Sequence, residues 1–345
     1  MKFSKKIALF FLLIIWVFGC DVLFYPKLQK HGESRYLFGT AVRLEACYEK
    51  SEEEKMRQGF AKAWQRLDDI QVTMNNLDKR SDVEKINSAK GRPVKVGQDM
   101  YELLKRSVDF SRLTGGAFDI TVCPLIELWA DSEKNNTVPS DKKIKEIRKF
   151  VGADTIQFLP GYRIKLSSRR AKIDINGVAC GYAADEAGRI LRENGLVNFL
   201  VDTGGEFLAW GKNCEGTAWQ IGIRDPQDLE KITDALSLQD KGISTSGNYS
   251  QFYEIKGERW SKIINPLTGY PEAGIVSATV IAPDGTSADA LSTALCVLGG
   301  LQGIRLIDSL GEPFAAVITE KKGDQVTLYQ SRGYPKFLSR KMRPQ

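Results

Sequence analysis

The stretch SADALSTAL, residues 287–295, constrains the fold most strongly. It reads as a helical segment apolar enough to be buried, and a helix of that kind has to be enclosed by other elements. Yet it carries Asp289 and Thr293 one turn apart, where their oxygens can converge on one point. Two readings of the segment stay open. In one, the carboxylate sits near a helix N-terminus and the threonine returns its hydroxyl to the backbone. In the other, the two are hard oxygen ligands for Mg²⁺.

Elements that could enclose such a helix are visible along the chain. Residues 36–49, YLFGTAVRLEACYE, alternate as a strand does. After Ser51 and a run of acidic residues, Met56, Phe60, Ala63, Trp64, Leu67 and Ile70 recur at helical spacing. A second helix is predicted up to the glycine pair 115–116, and residues 131–149 read as an exposed, charged loop and helix. From Ala171 the pattern changes. AKIDI, VNFLVDTGG, EFLAWG, WQIGIRDP, GISTSGNYSQFYEI, RWSKIINP and GIVSATVIAP read as strands, GVACGYAADEAGRILREN as a helix, and AAVITE with DQVTLYQS as a closing hairpin. Strand runs interspersed with helices predict an α+β fold, with mixed or antiparallel sheets flanked by helices. No strand leads into G-x-G-x-x-G, and G-x-x-x-x-G-K-[ST] is absent, which excludes the common nucleotide fingerprints.

The N-terminus opens on Lys2, Lys5 and Lys6 and an apolar run from Ile7 to Phe18, closed by Gly19 and Cys20. That run is short for a bilayer span and reads as an export signal. V-F-G-C is similar to a bacterial lipoprotein cleavage box, although Phe18 is bulkier than usual there. The expected organisation is a signal peptide over 1–19, a lipidated tether over 20–35 attached through Cys20, a folded body over 36–337 and a tail over 338–345. An uncleaved anchor would also put the body outside the cytoplasm. Asp21 points to the outer face of the cytoplasmic membrane. Losing three lysines would lower a formal charge of only +6, too weak a bias for nucleic-acid binding.

Cysteines stand at 20, 47, 123, 180, 214 and 296, without a C-x-x-C pair. Lipidation of Cys20 would leave an odd number, and neither a disulfide framework nor a zinc site is expected. The only histidine, His31, lies in a polar segment between the anchor and the first strand. A Ser-His-Asp triad or a histidine-rich metal site cannot be built in the body without it.

Four glycine-punctuated turns carry polar residues: AFD (117–119), DINGVACGY (174–182), DTGGE (202–206) and STSGNY (244–249). Glycine lets backbone N–H groups approach a ligand, and hydroxyls add donors suited to phosphate oxygens. Together with the candidate metal pair, four such turns point to a bound diphosphate.

The blocks GGAFDITVCPLIELW, KIDINGVACGYAADEAG, LVDTGGE, IGIRDP, ISTSGNY, INPLTGYP and ADALSTALCVLG resemble, in order and spacing, the ApbE family, the FAD:protein FMN transferases. FGT (38–40) and MNNLDKRSDVEKIN (74–87) look like two earlier motifs of that family, so the resemblance spans residues 36–335. It implies an ApbE-like fold and a Mg²⁺-dependent enzyme that takes FAD as substrate and breaks its diphosphate. FMN would pass to a threonine hydroxyl of an acceptor protein, commonly a subunit of a membrane redox pump, with release of AMP. Family members are typically exported lipoproteins. By position, the metal motif falls on Asp289 and Thr293, with Ser292 beside them and a backbone carbonyl near Gly177; Asp289 also counts as catalytic. Ala117, Phe118 and Asp119 fall on the turn for the adenine end of FAD, and Asp174 and Cys180 line the nucleotide. Ser246, Gly247 and Ile264 lie in blocks facing flavin and phosphates, and Phe38 and Met74 belong to the two earlier motifs.

The chain departs from the pattern at several polar positions. Cys180 replaces a lysine or acid, Lys262 a histidine, Asn265 and Asn248 aspartates, and Leu77 an aromatic. Lys262 could replace the histidine as proton acceptor only with a pKa lowered by burial or a nearby cation; otherwise it faces solvent or a phosphate. Cys180 reads as a small apolar residue rather than a nucleophile. Three functions are therefore compatible: FMN transfer, FAD hydrolysis to FMN and AMP, and an FAD-binding lipoprotein with weakened chemistry. Retention of Asp289 and Thr293 counts against the last.

Overall fold

The computed structural model describes residues 28–75, 78–225, 228, 230–248 and 252–339. The expectations for the signal peptide, Cys20, Asp21 and Leu77 lie outside the described residues. The N-terminal half contains β1 (Gln29–Leu37), β2 (Thr40–Tyr48), α1 (Glu53–Met74), α2 (Asp82–Ser88), β3 (Val94–Lys95) and α3 (Gln98–Leu113). It continues with α4 (Cys123–Lys134), α5 (Asp141–Arg148), β4 (Ile156–Leu159), β5 (Arg163–Leu166) and α6 (Asn176–Glu193). Then follow β6 (Phe199–Asp202), β7 (Phe207–Trp210), β8 (Trp219–Arg224), β9 (Ile232–Leu238), β10 (Lys241–Gly247), β11 (Phe252–Ile255) and β12 (Glu258–Ser261). The chain closes with β13 (Ile275–Ala282), α7 (Gly285–Leu310), β14 (Ala315–Lys322) and β15 (Gln325–Gln330).

Eight strands form one sheet in the order β1-β2-β6-β7-β10-β13-β14-β15, every neighbouring pair antiparallel. Helices α1, α6 and α7 cover one face, where Trp64, Leu67, Val178, Ala187 and Leu208 share a core. The hairpin β8–β9 covers the other, packing Trp219, Ile221 and Leu236 on Ile243, Ile281 and Val317. Lying between two layers, β13 is buried along almost its whole length and loses the alternation of a half-exposed strand.

By length and apolarity α7 could cross a membrane, but half of its most apolar window is buried inside the protein. It is not one continuous rod: Gly299, at φ 78°, breaks it. Its N-terminus is heavily capped. Asp284 accepts from Ser287 N at 2.7 Å, and Asp185 of α6 accepts from Gly285 N at 2.6 Å, from Thr286 N at 2.8 Å and from the Thr286 hydroxyl. Arg106 of α3 bonds Asp284 Oδ1 (2.5 Å) and Ser287 Oγ (2.7 Å). Helices α6 and α7 cross where neither has a side chain: a Cβ on Gly181 would lie 2.2 Å from the Gly285 carbonyl oxygen.

Four expectations are corrected. Residues 29–35, expected in the tether, belong to β1, which pairs with β2 from Gln29↔Tyr48 to Leu37↔Thr40. As a largely exposed edge strand it has little apolar signal. The body also runs beyond 337, since Leu338 is buried and Ser339 N donates to Ala235 O at 2.7 Å. AKIDI joins no sheet among the described residues, because its backbone pairs with the Asn87 side chain and with Ile120 O, which accepts from Asp174 N at 2.7 Å. Ile173 N donates to Asn87 Oδ1 (2.7 Å) and Asn87 Nδ2 donates to Ile173 O (2.9 Å). Finally, Cys47 and Cys214 form a disulfide across 167 residues of sequence, leaving Cys123, Cys180 and Cys296 as the free thiols among the described residues.

Cleaving Cys47–Cys214 releases a long loop in the unfolded chain, so Cys214→Ser should cost about 2–5 kcal/mol of stability, read from denaturant unfolding under oxidising conditions. Gly181→Ala should force α6 and α7 apart at about 1–3 kcal/mol. Calorimetry checks this, and an unchanged melting temperature would refute the close crossing.

Candidate active site

The crossing of α6 and α7 opens on a two-lobed cleft. One lobe, of about 360 Å³, is lined by Ala117, Phe118, Asp119, Gly177, Ser246, Gly247, Lys262, Ile264, Asp289 and Thr293. The other, of about 590 Å³, is lined by Phe38, Met74 and Cys180. Both are bounded by Ile126, Asp174 and Asn176, so the lobes adjoin. Every cofactor-binding position expected from the sequence faces one lobe or the other, and a two-ended cleft suits a dinucleotide in which two ring systems flank a diphosphate.

Asp289 is 4% exposed and lines the smaller lobe. Its Oδ2 accepts the Gly181 N–H at 3.0 Å. In a regular helix that N–H would serve the carbonyl four residues back, which is Gly177. Gly177 moreover departs from helical geometry (φ −82°, ψ 16°). Gly177 also lines the smaller lobe. Thr293 Oγ1 stands next to it, 3.1 Å from where a Gly177 Cβ would be. A carboxylate, a hydroxyl and a carbonyl of this kind are hard oxygen donors of the sort Mg²⁺ accepts, and burial makes the fit specific. Burial first, and then the charge of Asp185, push the Asp289 carboxyl up to about 7 against the Gly181 bond. A buried carboxylate in that state favours a cation beside it.

Ser292 does not reach the cleft. It is fully buried, with its Oγ donating to Asp289 O (2.9 Å) and lying 2.8 Å from Ser246 Oγ and 3.2 Å from Ser244 Oγ. One helical position sets it behind Thr293, and it acts by holding Ser246, whose Oγ is also 3.3 Å from Thr293 Oγ1. Asp119 lines the cleft, but its carboxylate is engaged within its own turn. It accepts from Thr121 N (2.8 Å), Thr121 Oγ1 (2.5 Å) and Ser111 Oγ (3.3 Å), while burial raises its pKa. Its side chain shapes the 117–119 turn. Asp174 similarly receives Asn176 N at 2.9 Å.

Lys262 stands exposed at the mouth, its Nζ 5.9 Å from the Tyr253 ring centroid. Asn265 organises the following turn, accepting from Leu267 N (2.8 Å) and donating to Glu272 Oε1 (2.5 Å). The Cys180 thiol is pushed well up by burial and by the charges of Glu206 and Asp289, which makes it inert. Glu206 was missed as a site residue. It lines the smaller lobe, and burial, followed by the charge of Asp289, raises its carboxyl well above the usual range. The signal available in sequence was an acid directly after the glycine pair of DTGGE.

Comparison with known proteins agrees with this geometry. The model of the ApbE family matches residues 38–318. An FAD:protein FMN transferase of Escherichia coli (strain K12) is 32% identical over 280 residues, 79% of each chain. Another, of Treponema pallidum (strain Nichols), is 27% identical over 290 residues, 79% of this chain and 80% of its own. The crystal structure of the ApbE protein of Thermotoga maritima matches with a TM-score of 0.81 at 31% identity, covering 90% of this chain and 100% of that one. The flavin transferase ApbE from Vibrio cholerae matches at 0.78 and 26%, with the same coverage. This α+β chain, with its antiparallel sheet and its carboxylate-bearing buried helix, belongs to the ApbE family.

Proposed function

We propose that this protein is an FAD:protein FMN transferase, which moves the FMN half of FAD to a threonine hydroxyl of an acceptor protein in a Mg²⁺-dependent reaction and releases AMP. The observation that carries this reading is that Asp289, Thr293 and Gly177 line one lobe of a dinucleotide-sized cleft, with Thr293 Oγ1 close against Gly177. The threonine hydroxyl gives up its proton as its oxygen bonds to the flavin-side phosphorus, the bond from that phosphorus to the bridging oxygen breaks, and AMP leaves with the bridging oxygen. Bound to oxygens of Asp289, Thr293 and Gly177, Mg²⁺ would neutralise charge on the diphosphate as that bond breaks.

The chain's own residues position and exclude. The Ser292–Ser246 pair sets a hydroxyl beside Thr293, and Gly247 keeps the strand end open for an approaching phosphate. Phe38, Met74 and Gln71 wall the larger lobe, with Gln71 Oε1 accepting from Phe38 N at 2.8 Å. The exposed position of Lys262 favours a role in holding negative oxygens over one in taking the acceptor's proton.

We infer further that the protein is exported and lipid-anchored through Cys20 at the outer face of the cytoplasmic membrane, with a membrane redox-pump subunit as acceptor. The Cys47–Cys214 disulfide supports export, since such bonds persist in oxidising compartments.

Incubation of the protein with FAD, Mg²⁺ and a threonine-bearing acceptor should yield a fluorescent acceptor and AMP. Free FMN with unlabelled acceptor would instead indicate hydrolysis, and unchanged FAD a carrier. Asp289→Ala should reduce turnover by about 10²-fold or more without lowering the melting temperature, and wild-type turnover would remove the carboxylate from the site. For Lys262→Ala, a raised KM for FAD with little change in kcat is expected; the reverse split would assign the ammonium to the chemical step.

A further inference from the structure

We propose that Glu206 is a second carboxylate ligand of the cation seat at Asp289, so that this chain binds a divalent cation before FAD arrives. The proposal rests on the Mg²⁺ reading above and extends it to a residue outside the family-derived ligand set. One peptide group of α6 holds both acids in place. Its N–H, from Gly181, donates to Asp289 Oδ2 (3.0 Å), and its C=O, from Cys180, accepts from Thr203 Oγ1 (3.0 Å). Thr203 in turn clamps the turn that carries Glu206, its N and Oγ1 donating to Glu206 O at 2.9 and 3.1 Å.

The rest of the turn is built with equal economy. Asp202 Oδ1 accepts from Gly204 N (2.9 Å) and Gly205 N (3.0 Å), and both glycines hold positive φ, 108° and 116°. A Cβ on Gly204 would meet Thr40 Cγ2 at 2.4 Å. Such a turn delivers the side chain of Glu206 to the cleft with little freedom.

What Glu206 meets there is a deficit of positive charge. Among the described residues no donor beyond its own backbone N–H reaches its carboxylate. Lys262, exposed at the mouth, is the one basic side chain among the residues lining that lobe. Both acids line the same lobe of about 360 Å³. Two carboxylates facing one cavity whose single basic side chain stands out at the mouth repel each other unless a cation lies between them. Together with Thr293 Oγ1 and the Gly177 carbonyl they offer a Mg²⁺-sized ion about four protein oxygens of its six, leaving places for phosphate oxygens. Because affinity for such ions follows the ligand charge count, a second carboxylate lets the ion load without the nucleotide.

Mn²⁺ binding to the full-length, nucleotide-free protein, followed by electron paramagnetic resonance, tests this. The expected result is one bound Mn²⁺ in the wild type, an affinity at least about tenfold lower in Glu206→Gln, and an intermediate value in Glu206→Asp. The cation-free melting temperature of Glu206→Gln should equal or exceed that of the wild type, because a repulsion has been removed. Unchanged Mn²⁺ affinity in Glu206→Gln overturns the proposal, as does weakened binding accompanied by a lower cation-free melting temperature, which would mark a structural role. Asp289→Asn separates the two readings. Lost binding there with unaltered binding in Glu206→Gln sinks only the role of Glu206, whereas unaltered binding in both sinks the cation seat itself.

Discussion

The crossing of α6 and α7 at Gly181 and Gly285 is the constraint on which the site depends. Two helices ordinarily pack 8–10 Å apart because side chains separate them; here the Gly181 Cβ position is already filled by the Gly285 carbonyl. That closeness brings the Gly181 N–H to Asp289, which explains why an otherwise apolar helix retains a carboxylate. Asp289 is buried at a cost that one hydrogen bond does not offset, and its raised pKa is the trace of that cost. Stability alone would select an apolar residue at this position; a ligand for the cleft accounts for an acid.

The neighbouring layer converts that closeness into a surface with direction. β10 lies against α7 with Ser244 and Ser246 on the helix side, and Ser292 ties both. On the opposite side of the strand, Thr245 Oγ1 lies 2.8 Å from Thr279 Oγ1 of β13. Alternation along one strand thus separates the hydroxyls that bond to the helix from the one that meets the neighbouring strand. Gly242, at the start of β10, has no room for a side chain because Asp284 backbone atoms lie about where its Cβ would go. The start of the strand and the capped helix end are therefore docked by backbone contact.

Much of this was legible in the sequence, for identifiable reasons. Long amphipathic runs such as Met56 to Ile70 carry a strong period, and their face is the buried one. The glycine-rich turns and the Asp289/Thr293 pair announced the cleft, since unusual residues in an apolar context stand out locally. What escaped was non-local or disguised. The disulfide joins residues 167 apart, and no spacing rule connects the end of β2 to the loop after β7. β1 is polar because it is an exposed edge. AKIDI has strand composition but takes its hydrogen bonds from the Asn87 side chain and the Ile120 carbonyl. Glu206 is ordinary in sequence, and only the placement of its turn against α6 gives it a role.

The positions at which this chain departs from its family's motifs sort by depth in the cleft. Lys262 is exposed, and Asn265 serves the turn at the cleft mouth, its side chain meeting Leu267 N and Glu272. Asn248 follows β10 at the same side and is tied by its N–H to Val276 O at 3.2 Å. The deep elements, namely Asp289, Thr293, Gly177 and the serines behind them, keep their hydroxyl, carboxylate and backbone chemistry. On the proposed reading, a cation and a diphosphate would meet the deep set and an incoming protein the mouth. Variation concentrated at the mouth would then change which acceptor is met and how its hydroxyl is deprotonated, and would leave the gripping of the dinucleotide intact. Cys180 lines the other lobe, and its carbonyl accepts from Thr203 Oγ1, a contact that any residue at this position would supply.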